Sequence, residues 1–191
     1  MKRKGLKLVE YEMWRYRYLV FFTISIIAAI FVLSSSQIRA LISSAGTWGY
    51  VGAFIVGSFY TYSITSPPAA AVFFVLAQSI NPFVAAALGG LGAMCGDLII
   101  FKFIKTDILP EAKLLAHDLK IPKIKNHKLI HYINEAAPFI AGFFFAMPFL
   151  PDEMGATILG AIKYNTRKFL LISWLSNSAG LLLIALLGQL F

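Results

Sequence analysis

Apolar residues in this chain come in long runs, not in the alternation of a half-buried strand or the one-sided stripe of a surface helix. The runs are Tyr18 to Leu33, Trp48 to Ile80, Pro82 to Ile104, Pro138 to Leu150, Met154 to Ile162 and Phe169 to Phe191. A helix needs about 20 apolar residues to cross a hydrocarbon core of roughly 30 Å. Three runs read as complete spans: the one that follows the N-terminal flank, Pro82 to Ile104, and Phe169 to Phe191. The other runs are interrupted. Trp48 to Ile80 contains Pro67 and Pro68, which remove two backbone donors and push Ser66 away from helical geometry. The piece beyond them, Ala69 to Ile80, is about 12 residues, roughly 18 Å of helix, and falls short of a crossing. The Pro138 to Ile162 region breaks at Pro151-Asp152-Glu153 and leaves two short arms, the first marked by Pro148. Both interrupted regions are expected to be re-entrant hairpins that turn at their prolines.

Between these runs, residues 34–46 (SSSQIRALISSAG) form an amphipathic interfacial stretch, and residues 105–136 form a basic aqueous loop that is partly helical. The chain divides into residues 1–47, with a basic flank, a first span and the interfacial stretch, and a membrane domain at 48–191.

Offsetting the chain against itself by 84 residues brings Pro67 onto Pro151, Asn81 onto Asn165, Gly96 onto Gly180 and Phe59 onto Phe143. The matches fall at the hairpin tip, the turn after the hairpin and the middle of the following span. Because the two copies start from opposite sides, the repeat is of inverted topology, an arrangement that gathers binding sites where broken helices meet. The expected fold is an all-α membrane protein: an N-terminal helix plus an inverted repeat of two re-entrant helical hairpins, each followed by a transmembrane helix.

Composition agrees. The chain is 59% hydrophobic, with a mean hydropathy of +0.75, more than a soluble domain of 191 residues can bury. The net charge of +8 does not point to nucleic acid, because the lysines and arginines fall on one side of the expected topology. With the N-terminus in the cytoplasm, the N-terminal basic residues, the central lysines, Lys163, Arg167 and Lys168 are all cytoplasmic, and only Arg39 lies outside. The expected location is therefore the cytoplasmic membrane, with the first apolar run kept as a signal anchor, since no A-x-A-like cleavage site follows it. The single cysteine, Cys95, excludes an intramolecular disulfide and is read as packing.

The candidate chemistry is acidic. Asp97, inside "GGLGAMCGDLIIF", needs a partner or a water-filled cavity if it lies within a span; it is read as a proton-responsive or headgroup-contacting site, or as a side chain that snorkels to water. Gly92 and Gly96 make a small-residue face for close helix packing, expected to bring the last span towards Asp97. In that span the offset sets Asn177 opposite Ala93, one turn from Asp97, and Asn177, Ser173 and Ser176 either line a shared pathway or make ordinary interhelical hydrogen bonds. Asp152 and Glu153, at the second hairpin tip, either cap a helix starting near Met154 or form a buried proton or cation site. His127, His131 and Glu135 share one helical face, but no further ligand supports zinc, so no metal and no cofactor is expected. There is no Walker loop, dinucleotide fingerprint or hydrolase serine motif, and the chain is not expected to be an enzyme.

Two stretches carry a family resemblance. "SPPAAAVFFVLAQSINPFVAAALGGLGAMCGDLIIF" and "MPFLPDEMGATILGAIKYNTRKFLLISWLSNSAG" resemble the proline-marked hairpins and Gly-Asp span of the DedA family, also called the VTT or SNARE-associated Golgi-protein superfamily. The resemblance implies two inverted re-entrant hairpins and a role in moving lipids or lipid-linked carriers between leaflets, with membrane lipids as partners and a homodimer as one assembly. Gly92, Gly96 and Asp97 match the family's glycine-aspartate motif. Elsewhere the chain departs: many bacterial members carry a glutamate after the first hairpin proline, where this chain has Pro68 and Ala69, and arginines around the second, where "FFFAMPFLPDE" has none. These departures weigh against proton coupling and favour lipid translocation, scramblase-like or flippase-like. A proton- or ion-coupled small-solute transporter and a non-transporting membrane scaffold are the alternatives.

Overall fold

The computed structural model describes residues 17–118, 127–147 and 150–190, and every regular element among them is helical. In chain order these are α1 (Arg17–Ser34), α2 (Ser36–Ser43), a 3₁₀ turn (Gly46–Trp48), α3 (Gly49–Tyr60), α4 (Ser66–Ala77), α5 (Pro82–Phe103), a π-helical turn (Ile104–Ile108), α6 (Leu109–Asp118), α7 (His127–Ala146), α8 (Asp152–Ala161) and α9 (Thr166–Leu190). Three helical stretches are long and apolar enough to cross a membrane: Arg17–Ser34, Pro82–Ala112 and Thr166–Leu190. The stretch at 34–46 contains helix α2, which meets the Gly46–Tyr60 stretch at a bend of 91°.

Local sequence sets the helix starts. Asn81 Oδ1 accepts from the backbone N–H of Phe83 and Val84 at 3.0 and 3.2 Å, and Asn165 Oδ1 does the same for Arg167 and Lys168 at 2.9 and 3.3 Å. Each satisfies two of the donors left open at a helix start. The prolines behave differently from the sequence expectation. Pro67 and Pro68 do not form the hairpin tip; they lie in the first turn of α4, which begins at Ser66, and the break is Thr61 to Thr65 ahead of them. A first-turn N–H has no intrahelical acceptor, so proline costs little there. Pro151 stands just before α8, while Pro148 lies outside the described residues.

The arm expected to begin at Pro138 is also longer. Helix α7 reaches back to His127 and carries Pro138 inside it. The ring removes one backbone donor and frees the carbonyl four residues earlier, that of Asn134, an exposed residue.

Helices α5 and α9 run antiparallel at the centre. The carboxyl half of α5 and the start of α9 share one apolar cluster, where Phe101 stacks on Phe169 at 4.1 Å and Phe145 of α7 meets Phe169 edge-on at 6.0 Å. The start of α5 and the far half of α9 share the other, with Phe73 and Leu76 of α4 against Leu181 and Ile184. Asp97, Ser173 and Asn177 lie along these two helices between the two clusters.

Glycines permit the close approaches. A Cβ on Gly92 would run into the Phe54 carbonyl of α3, and one on Gly96 would meet Thr61 and Ser58. The Gly92–Gly96 face therefore receives α3, not the last span as expected; α9 is approached through Gly89, against Leu181, and Gly90, against Ser178. Gly180 receives the Ala146 carbonyl of α7. Cys95 is exposed on α5 and is not part of the core.

Candidate functional site

Asp97 is wholly buried, four residues before Phe101 on α5. Its Oδ2 accepts from Ser173 Oγ at 2.6 Å and from Asn177 Nδ2 at 2.8 Å, both one turn apart on α9. Asn177 Nδ2 also donates to the Ser173 carbonyl at 3.0 Å, which fixes the amide against its own helix. Asn177 and Ser173 are themselves fully buried. Of the two readings open for these α9 residues, the hydrogen bond to Asp97 is common to both.

The second half of the site comes from the two helix breaks. Asp152 and Glu153 are not caps in the hydrogen-bonding sense: α8 begins at Asp152, so both acids lie in its first turn, where negative charge meets the positive end of the helix dipole. Glu153 reaches the α3–α4 break. Ser63 donates to it twice, from its backbone N–H to Oε1 at 2.8 Å and from Oγ to Oε2 at 2.7 Å. Asp152 is buried, within electrostatic reach of Asp97, Glu153 and Tyr60. Thr61 Oγ1 donates to the Ala93 carbonyl at 3.0 Å and holds the end of α3 on α5 beside the site.

Asp97, Asp152, Glu153 and Asn177 are thus brought together from three helices. Ser176, grouped with them by sequence, turns to Gly142 of α7 instead. Tyr60 and Ser63 were not singled out from the sequence. The signal was available: both are polar positions in "FYTYSITSPP", immediately before the prolines that marked the break.

Several buried oxygens have no hydrogen-bond partner: Asp97 Oδ1, Asp152 Oδ2, Asn177 Oδ1 and the Tyr60 hydroxyl. Among the described residues no lysine or arginine pairs with any of the three carboxylates. Lys105 is committed elsewhere, donating to the Tyr164 carbonyl at 2.9 Å and Thr166 Oγ1 at 3.4 Å, with its ammonium 5.1 Å from the Phe101 ring centre. His131 and Glu135 pair with each other at 3.2 Å on an exposed surface, and the side chain of His127 lies outside the described residues. Among the described residues no group of three or more His, Cys, Asp or Glu is arranged to hold a metal ion.

The class these features define is a helical protein with three membrane-length apolar helices and a buried acidic site where two helix breaks meet a long helix pair. Comparison with family models, curated proteins and solved structures finds no match to this chain.

Proposed function

We propose that this protein moves lipids or lipid-linked carriers between membrane leaflets, as the DedA resemblance implies. The observation that carries the reading is the meeting of three carboxylates with no pairing cation among the described residues: Asp97 from a long apolar helix, and Asp152 and Glu153 from the start of a short one clasped by the α3–α4 break. A carboxylate deep in a span costs ~3 kcal/mol on insertion scales, and such groups stand where a pathway for polar cargo passes. Broken helices at membrane depth have the same meaning, because their open backbone groups need protein or water around them.

The architecture of this reading is an inverted repeat, α3–α4–α5 against α7–α8–α9, with the first two helices of each half forming a re-entrant hairpin. Two observations support it. Asn81 and Asn165, offset by 84 residues, make the same two-donor cap at the start of the two long helices. Ile104, just past α5, packs on Gly160 of α8, while Gly188 of α9, at the same offset from Ile104, packs on the Phe74 carbonyl of α4. Each long helix thus crosses the short helix of the other half. A headgroup would pass along the acidic site while its acyl chains stay in the bilayer.

The test is leaflet exchange of a labelled lipid in liposomes. Purified protein should accelerate it, and Asp97→Asn should slow the accelerated rate about tenfold, the effect of losing roughly 1.4 kcal/mol from a charged hydrogen-bond set. Well-folded protein that accelerates no lipid, across several headgroups, rules the reading out.

A second reading, coupled transport of a small solute, is favoured by the unpaired oxygens of Asp97 and Asp152, which could carry a proton or cation. It requires that transport collapse when the pH or ion gradient is removed, whereas passive lipid exchange persists.

A further inference from the structure

Apart from the Tyr60 hydroxyl, the donors that face the buried acidic site are committed. Ser173 and Asn177 spend theirs on Asp97 Oδ2, Ser63 spends both of its own on Glu153, and Thr61 donates to a backbone carbonyl. What remains is one hydroxyl and three acceptor oxygens. Asp97 Oδ1, Asp152 Oδ2 and Asn177 Oδ1 have no donor, and the Tyr60 hydroxyl has no partner. Two of these four belong to neutral residues: Asn177 is 0% exposed with its amide against Asp97, and Tyr60 is 2% exposed beside Asp152. An acidic cluster alone would say little. Buried neutral side chains that also lack a protein partner there favour a ligand that brings donors, since nearly all buried polar atoms are satisfied and an unmade buried hydrogen bond is costly. A ligand there would bring donors, and positive charge suits three carboxyl groups with which, among the described residues, no lysine or arginine pairs.

We infer that the site binds a primary ammonium group. An ammonium has three N–H donors and one positive charge, against three unpaired acceptor oxygens and a tyrosine hydroxyl that can accept a hydrogen bond. The same inventory discriminates among headgroups. A lipid phosphodiester is disfavoured, having no donor to offer and the wrong charge. A quaternary choline carries the charge but no N–H, so it leaves the oxygens unanswered. The ammonium can come from an aminophospholipid headgroup or from a soluble amine, and Ser63–Glu153 is the contact that must part to admit it from the side of the helix breaks. The inference rests on the proposed translocation only for the lipid route; the site itself is tested by binding.

The full chain, purified in detergent micelles, is unfolded thermally with tryptophan fluorescence as the readout, in the presence of short-chain phosphatidylethanolamine, phosphatidylcholine, phosphatidylglycerol, ethanolamine or sodium chloride. Phosphatidylethanolamine near saturation should raise the midpoint by roughly 5 °C. If ethanolamine does the same the source is a soluble amine; if only the lipid does, it is a headgroup. Asp152→Asn should abolish the shift, and Tyr60→Phe, a milder change, should reduce it. Equal shifts with phosphatidylcholine or phosphatidylglycerol, a shift with sodium chloride alone, no shift at all, or a full shift in Asp152→Asn each overturn the inference. A headgroup-selective shift in a protein that exchanges no lipid keeps the site and removes the translocase reading. Lipid exchange without ammonium selectivity does the reverse.

Discussion

At the scale of single residues, Asn177 tests the buried contact most directly. Its amide supplies one of the two donors on Asp97 Oδ2. Asn177→Leu keeps the branched shape and the number of side-chain heavy atoms but leaves a buried carboxylate with one donor, which should cost about 2 kcal/mol. Asp97→Asn in the same chain should recover part of that loss, because a neutral amide tolerates a missing donor better than a carboxylate. Unfolding of both single variants and the double variant measures the coupling, and strictly additive losses would contradict the contact. The glycines separate in the same way. A Cβ on Gly92 meets the Phe54 carbonyl, a backbone atom that cannot move aside, so Gly92→Ala should lose folded protein. A Cβ on Gly52 comes no closer than 3.6 Å, to a leucine methyl. Gly52→Ala should therefore hold or gain up to about 1 kcal/mol from helix propensity. Equal effects in a detergent melting assay would show that the close helix approach is not what Gly92 serves. From sequence, the spacing of Gly92 and Gly96 marks a packing face and Gly52 stands in an apolar run, but the clash itself depends on which carbonyl another helix presents.

At the scale of elements, the helix breaks supply Ser63, Asp152 and Glu153 to the candidate site. The proline signal located them to within a few residues, but the turn of the first break is Thr61–Thr65, and the prolines are the start of α4. Proline marks where a helix cannot continue backwards, and this places it just after a break as readily as within one. If α3 and α4 form a re-entrant hairpin, cysteines at Trp48 and Ser79, both exposed, should react with an impermeant thiol reagent from the same membrane face, in a Cys95→Ser background. Labelling from opposite faces would make the pair an ordinary crossing. The clasp between the breaks makes its own prediction. Ser63→Ala removes one of the two donors on Glu153 and keeps the other. A cysteine at Tyr60, a buried position, should then be modified faster by about tenfold, as expected for the loss of roughly 1.4 kcal/mol of closure. An unchanged labelling rate would mean that the clasp does not control access to the site.

At the scale of the whole molecule, two apolar clusters bracket a short polar stretch of the α5–α9 pair, and α1 packs outside on α4, with Ser25 donating to the Ile64 carbonyl in the first break. Ser25 is the one buried position of α1, and its hydrogen bond ties the helix to the site's rim while the rest of α1 packs along α4 with much of its surface exposed. Run length and composition were enough to establish that the chain is helical with membrane-length apolar segments, because the cost of unpaired backbone in hydrocarbon leaves helices as the economical solution for continuous apolar runs. They also marked Asp97, Asp152, Glu153 and Asn177, because a polar side chain in an apolar run is conspicuous against its neighbours. Where helices start was legible at Asn81 and Asn165, as capping depends on residues two or three apart. Tertiary structure alone decided which helix the Gly92–Gly96 face receives, that Cys95 faces outward, that Ser63 grips Glu153 across 90 residues of chain, and that three buried acceptor oxygens of the site are left without a protein donor. Those outcomes depend on the register between helices distant in sequence, and a shift of one residue along a helix turns a side chain by about 100°. No local pattern encodes that rotation.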